Sequence, residues 1–277
     1  MPSKPNTQGN GITQRHARFE SAHVVARHID VWLPPGYHED NERYPVIYMH
    51  DGQNLFDPVL AYDNVDWGVD EAISRLIATR GLHGAIVVGI WNSDFRWQEY
   101  MPAKPLQGPA MKRVRADFVD VAGGPSIADA YLKFIVEELK PFIDSRYRTR
   151  PDQPNTHIMG SSMGGLISLY AISEYPHIFG GAGCVSTHWP AGGELLVDAM
   201  AASLPSPANH KLYFDFGTET VDQAYEPFQR RMDDHLRRAG YEEGRNWLTR
   251  KFEGAEHSER SWRERVDIPL AFLLSEE

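Results

Sequence analysis

One stretch limits the folds open to this chain more than any other. From Thr156 to Tyr170 it reads T-H-I-M-G-S-S-M-G-G-L-I-S-L-Y, with Gly160-Ser161-Ser162-Met163-Gly164 forming a G-x-S-x-G turn at its centre. The apolar run His157, Ile158, Met159 enters the turn as a strand would, and Leu166, Leu169 and Tyr170 leave it at helical spacing. A strand that passes straight into a helix belongs to a sheet covered by helices. The flanking glycines let strand and helix approach closely enough to hold Ser162 in a strained conformation, and Gly165 adds room at the same crossing. Such a turn lifts the hydroxyl above the sheet and points the Met163 N–H, at the helix N-terminus, toward a developing oxyanion. A glycine-rich helix entry with a solvated serine would spell the same five residues, so the rest of the chain has to decide.

The remaining sequence alternates strand and helix patterns. Arg27 to Leu33, Tyr44 to His50, Ala85 to Ile90, Gly181 to Ser186, Leu212 to Phe216 and Trp247 to Phe252 read as strands. Between them, helical spacing marks Val69 to Gly81, a helix opened by Ser126 with Asp129 three residues on as a capping pair, Glu194 to Ala202, and Pro227 to Ala239. Trp262 to Leu274 reads as a closing helix broken at Pro269. Asp94 to Gly124 shows no period and reads as a long surface excursion. The expected fold class is α/β, a mostly parallel central sheet with helices on both faces and its ligand site beyond the carboxyl ends of the strands. Residues 1–26 read as a polar N-terminal segment with a first edge strand, and residues 27–277 as a single catalytic domain.

Composition narrows the partners. A formal charge of −10 with no basic stripe argues against nucleic acid. The single cysteine, Cys184, lies in an apolar run and reads as a small buried hydrophobe. With no apolar leader or membrane-length run, the expectation is a cytoplasmic protein with no membrane partner; oligomeric state is left open.

Four loops should converge at the carboxyl edge: Asp51 to Phe56, Ser162 with Met163, Gly217 to Asp222, and Glu253 to Ser258. A nucleophilic serine needs a base, and the base needs a third group to fix its tautomer. Of the 12 histidines, His257 directly follows the last strand and fits the base position. His157 is within a strand, His235 within a helix, and His188 precedes the acid loop. Asp222 and Glu219 are both candidates for the acid, whereas Asp215 sits inside its strand.

The segments Y-M-H-D-G-Q-N-L-F-D (Tyr48 to Asp57), G-S-S-M-G-G-L (Gly160 to Leu166), F-D-F-G-T-E-T-V-D (Phe214 to Asp222) and F-E-G-A-E-H-S (Phe252 to Ser258) together resemble the Putative esterase family of α/β-hydrolases. This group includes enterochelin esterases, esterase D, and feruloyl and acetylxylan esterases of carbohydrate esterase family 1. The resemblance implies Ser162 as nucleophile, His257 as base, and the Met163 and Gln53 N–H groups as oxyanion donors. It implies Asp222 as the acid if the loop holds two extra residues; counted from Gly217, Glu219 also matches, and some relatives work as dyads. Trp91 with Asn92, Tyr100, and His188 with Trp189 are the expected pocket walls, where aromatic rings could stack on a sugar or an aryl acyl group.

The reaction expected is serine carboxyl-ester hydrolysis through an acyl-enzyme, on small acyl or aryl (feruloyl or acetyl-type) esters. Acyl transfer or thioester cleavage on the same residues, and a non-catalytic binding protein on the same scaffold, are the alternatives. No cofactor is implied, and no metal, since His50, Asp51, Asp57 and His257 match no ligand spacing.

Overall fold

A computed structural model describes residues 11–39 and 41–275. Within them eight strands form one sheet in the order β1-β2-β4-β3-β5-β6-β7-β8. The strands are β1 (Ile12–Phe19), β2 (Arg27–Leu33), β3 (Val46–His50), β4 (Ile86–Ile90), β5 (Thr156–Ser161), β6 (Gly181–Val185), β7 (Lys211–Gly217) and β8 (Trp247–Phe252). Both ladders of β2 are antiparallel and every ladder from β4 to β8 is parallel, which is the mostly parallel α/β sheet expected from the alternating pattern. The first ten residues of the expected polar N-terminal segment lie outside the described residues.

Helices cover both faces because the inner strands are apolar on both. On β3, Val46 and Tyr48 face one core, shared with α4 (Ala128–Lys133), α5 (Lys140–Arg146), α6 (Met163–Glu174), α7 (Gly193–Ala201) and α8 (Glu226–Arg238). The alternate residues Ile47 and Met49 face a second core with α1 (Val69–Arg80), α9 (Glu259–Arg263) and α10 (Asp267–Leu274). Helix α6 is buried from Met163 through Ile172, so it carries no polar stripe. Cys184 is fully buried in β6.

Three local expectations are corrected. The excursion at 94–124 is largely ordered as α2 (Arg96–Tyr100), two 3₁₀ turns and α3 (Lys112–Ala122). Helix α3 buries only Phe118, so its sequence shows no apolar period. The Ser126–Asp129 capping pair does not form: Ser126 Oγ donates to the Met101 carbonyl and accepts from Ala128 N–H, while Asp129 accepts from Tyr170 OH at 2.5 Å. α4 runs into α5 through a π-helical turn at Phe134–Leu139. The break in the closing helix falls at residues 264–266 rather than at Pro269, which sits in the first turn of α10, where its missing N–H costs nothing.

Candidate active site

The parallel strands β3 to β8 end along one edge, and the neighbours β3 and β5 are followed by strands on opposite sides, β4 and β6, so the connections diverge between them. Ser162 stands there, directly after β5, at φ 59° and ψ −120°. Its neighbours hold this strained backbone in place: Ser162 N–H donates to Val185 O at 2.9 Å, and its carbonyl accepts from Gly165 N–H at 3.0 Å and His188 N–H at 3.1 Å. Gly165 is required by the crossing, since a Cβ there would lie 2.8 Å from Thr187 Oγ1. Ser161 is buried as the last residue of β5, whereas Ser162 is partly exposed.

The acid and base loops are stitched to one another. Thr218 and Glu219 N–H both donate to Ala255 O, Gly254 N–H donates to Thr218 Oγ1, and His257 N–H donates to Thr220 Oγ1. Asp222 Oδ1 accepts from His257 Nδ1 at 2.6 Å. Its Oδ2 accepts from Gly217 N–H and Ser186 Oγ, each at 2.7 Å. Burial alone would raise the Asp222 carboxyl, but the bonds from His257, Ser186 and Gly217 hold it below the usual carboxylate range. Glu219, the other candidate, is exposed. The His257 ring packs edge-on against Trp262 at 4.9 Å and Tyr225 at 5.8 Å. No hydrogen bond joins Ser162 Oγ to the imidazole in this arrangement; such bonds are commonly long before substrate binds.

Gln53 lies in a 3₁₀ turn (Gly52–Asn54) after β3, and Met163 opens α6. Among the described residues neither N–H donates to a protein acceptor, as expected of helix-start donors facing a ligand. The turn before Gln53 is braced by Asp51, a left-handed residue at φ 55°, whose carboxylate accepts from Arg96 at 2.7 and 2.8 Å and from Asn92 Nδ2 at 2.7 Å. Asn92 N–H also donates to Gln53 Oε1. Burial opposes ionisation of Asp51, and the Arg96 guanidinium overcomes it and lowers the carboxyl.

The expected pocket walls divide. His188 lies beside the base, with ring centroids 6.4 Å apart, its Nδ1 bonded to Tyr225 OH at 2.6 Å; burial and the neighbouring His257 push it down to about 4. Tyr100 and Trp189 are corrected: both are buried, Tyr100 against His50 and Tyr131, Trp189 bonded to Gln229 and stacked on Phe214. Trp91 is corrected too, because its indole turns to the β1–β2 edge, where Nε1 donates to Asp30 and Arg15 covers the ring. An exposed aromatic ring near the site is one that sequence reading passed over: Trp97, 41% exposed and edge-on to His188 at 6.0 Å. Its signal was R-W-Q-E-Y, a single helical turn whose Arg96 and Glu99 are each engaged by a buried partner, Asp51 and Arg27.

Among the described residues no group of three or more His, Cys, Asp or Glu could hold a metal ion, and no helix is long and apolar enough to cross a membrane.

Known proteins share this architecture. The chain is 26% identical over 194 residues to YbbA, an uncharacterised protein of Bacillus subtilis, covering 70% of this chain and 68% of that one. A solved ferulic acid esterase superposes with a TM-score of 0.67 at 17% identity, over 96% of this chain and 99% of that chain. The siderophore hydrolase EstA of Aspergillus nidulans superposes at 0.66 and 18%, over 99% and 98%. The family model described as Putative esterase matches residues 25–267. That match spans most of the chain, and the protein belongs to the Putative esterase family as a carboxylic ester hydrolase.

Proposed function

We propose that the protein hydrolyses small acyl or aryl carboxylic esters through an acyl-enzyme formed on Ser162. The observation that carries this reading is the 2.6 Å bond from His257 Nδ1 to a buried Asp222, at the same strand edge as a serine held on a strained strand-to-helix turn. In this mechanism His257 Nε2 takes the Ser162 proton as the hydroxyl attacks the ester carbonyl. Gln53 and Met163 N–H stabilise the oxyanion, and His257 then protonates the departing alcohol. Water, activated by the same ring, releases the acid. Asp222 holds the ring and stabilises its cation throughout. Residues 27–277 act as one catalytic unit.

Trp97 beside His188 supports an aryl group as part of the substrate, since an exposed indole offers a stacking face near the base. The solved ferulic acid esterase, named for an aryl acid, supports the same direction. The test is a panel of p-nitrophenyl esters of increasing chain length, feruloyl esters and acetylated sugars, with Ser162→Ala alongside. Ser162→Ala abolishes turnover while remaining folded, and a serine-directed organophosphate labels Ser162 alone. Labelling at Ser161, or full activity in Ser162→Ala, would overturn the assignment.

A further inference from the structure

Behind Asp222 a second polar network runs into the core. Ser186, fully buried at φ 40°, follows β6. Its Oγ lies 2.7 Å from Asp222 Oδ2, 3.0 Å from Trp262 Nε1 and 2.9 Å from Arg265 Nη2. Arg265 is 3% exposed and paired with Asp215, itself 1% exposed, through contacts of 3.1 and 3.3 Å. Tyr213 OH donates to Asp215 at 2.9 Å, and Ser186 N–H donates to its carboxylate at 3.1 Å.

Counting protons fixes the direction of this chain. A hydroxyl has one proton and two lone pairs, while an indole N–H and a guanidinium only donate. Trp262 and Arg265 therefore occupy both lone pairs of Ser186, and its proton has Asp222 Oδ2 as its acceptor. With Gly217 N–H on the same oxygen, Oδ2 is filled by donors and Oδ1 is left to accept from His257 Nδ1–H. The ring then keeps Nε2 unprotonated, the atom that takes the Ser162 proton in the proposed mechanism. We propose that Ser186, with its hydroxyl oriented by Arg265, is a positioning residue that holds Asp222 as a double acceptor and so sets the His257 tautomer.

This rests on the triad reading above, and the test separates the two. The measurement is kcat and KM for p-nitrophenyl acetate in the wild type, Ser186→Ala, Asp222→Asn and the double variant. Loss of one hydrogen bond to a charged group predicts that Ser186→Ala lowers kcat about 10- to 100-fold, with KM changed less than about threefold. Because the effect travels through Asp222, adding Ser186→Ala to Asp222→Asn costs no more than about threefold further. Arg265→Lys, which keeps the charge but loses the fork, gives a smaller kcat loss of the same kind. Should Ser186→Ala not fold, Ser186→Cys carries the same cycle with a weak donor in place. Equal fold-losses in both backgrounds, or wild-type kcat in the single variant, overturn the positioning role while the triad stands. An Asp222→Asn enzyme with undiminished kcat would remove the triad reading, and this inference with it.

Discussion

Replacing Asp222 by asparagine tests the site most sharply, because the structure says which way the new amide must turn. The asparagine has one acceptor and one donor end where aspartate had two acceptors. If its oxygen faced His257, its NH₂ would meet the Gly217 N–H and the Ser186 O–H, two donors that both now lie 2.7 Å from Oδ2. Leaving two buried donors unpaired costs about 1–3 kcal/mol each. The opposite rotamer keeps both bonds but points NH₂ at His257 Nδ1, which must then accept and carry its proton on Nε2. That ring cannot take a proton from Ser162. The preference for the inactive tautomer is thus about 2–6 kcal/mol, and each 1.36 kcal/mol is tenfold, so kcat should fall by about 30-fold to somewhat over 10⁴-fold. The upper end matches the loss of about 10⁴ for the same change in a serine protease triad. The assay is steady-state hydrolysis of p-nitrophenyl acetate, with thermal unfolding run on the same samples. Glu219→Gln is the control: its side chain is exposed, and activity should stay within about twofold, as for a surface charge outside the site. Asp222→Asn within tenfold of wild type, or a large loss only in Glu219→Gln, would refute the reasoning.

Two further outcomes follow from buried groups. His157 is 4% exposed, its Nδ1 has no hydrogen-bond partner among the described residues, and burial pushes it down from 6.5 to about 3. The unfolded chain therefore binds its proton more readily, and stability falls as pH drops from about 6.5 toward 3. From pH 7 to 5 this one ring removes about 2 kcal/mol, so denaturant titrations of His157→Gln should show a pH dependence shallower by that amount; an unchanged slope would contradict it. Gly52→Ala would place a Cβ 2.4 Å from the Gly89 carbonyl carbon and 2.6 Å from Ile90 N, inside the backbone of a central strand that has no room to move. The Gln53 turn must shift instead. Loss of one oxyanion donor predicts a drop in kcat of about 10²- to 10³-fold, and a kcat within threefold of wild type would mean Gln53 N–H takes no part.

How much of this was written in the sequence depends on the range of the interactions involved. The elbow, the strands from β2 to β8 and the order of serine, acid loop and histidine are local patterns: apolar spacing, glycines beside one serine, and short polar loops after apolar runs. The places of Ser162 after β5 and His257 after β8 were legible for that reason. The choice between Asp222 and Glu219 was not, because they lie three positions apart on one loop, and only the stitching of Thr218, Glu219 and Thr220 onto residues 254–257 turns one carboxylate inward and the other to solvent. Tyr100, Trp189 and Trp91 sit near strand or helix ends, as pocket aromatics would. Their indoles and phenol instead meet Phe214, Asp30 and His50, residues distant in sequence. Arg265 shows the same limit: a helix break three residues from where proline suggested it sends a guanidinium toward Ser186, 79 residues away in the chain. Periodicity and turn chemistry determined the sheet and the edge where chemistry gathers. Only the packing of distant segments decided which polar atoms there lose water and must find one another.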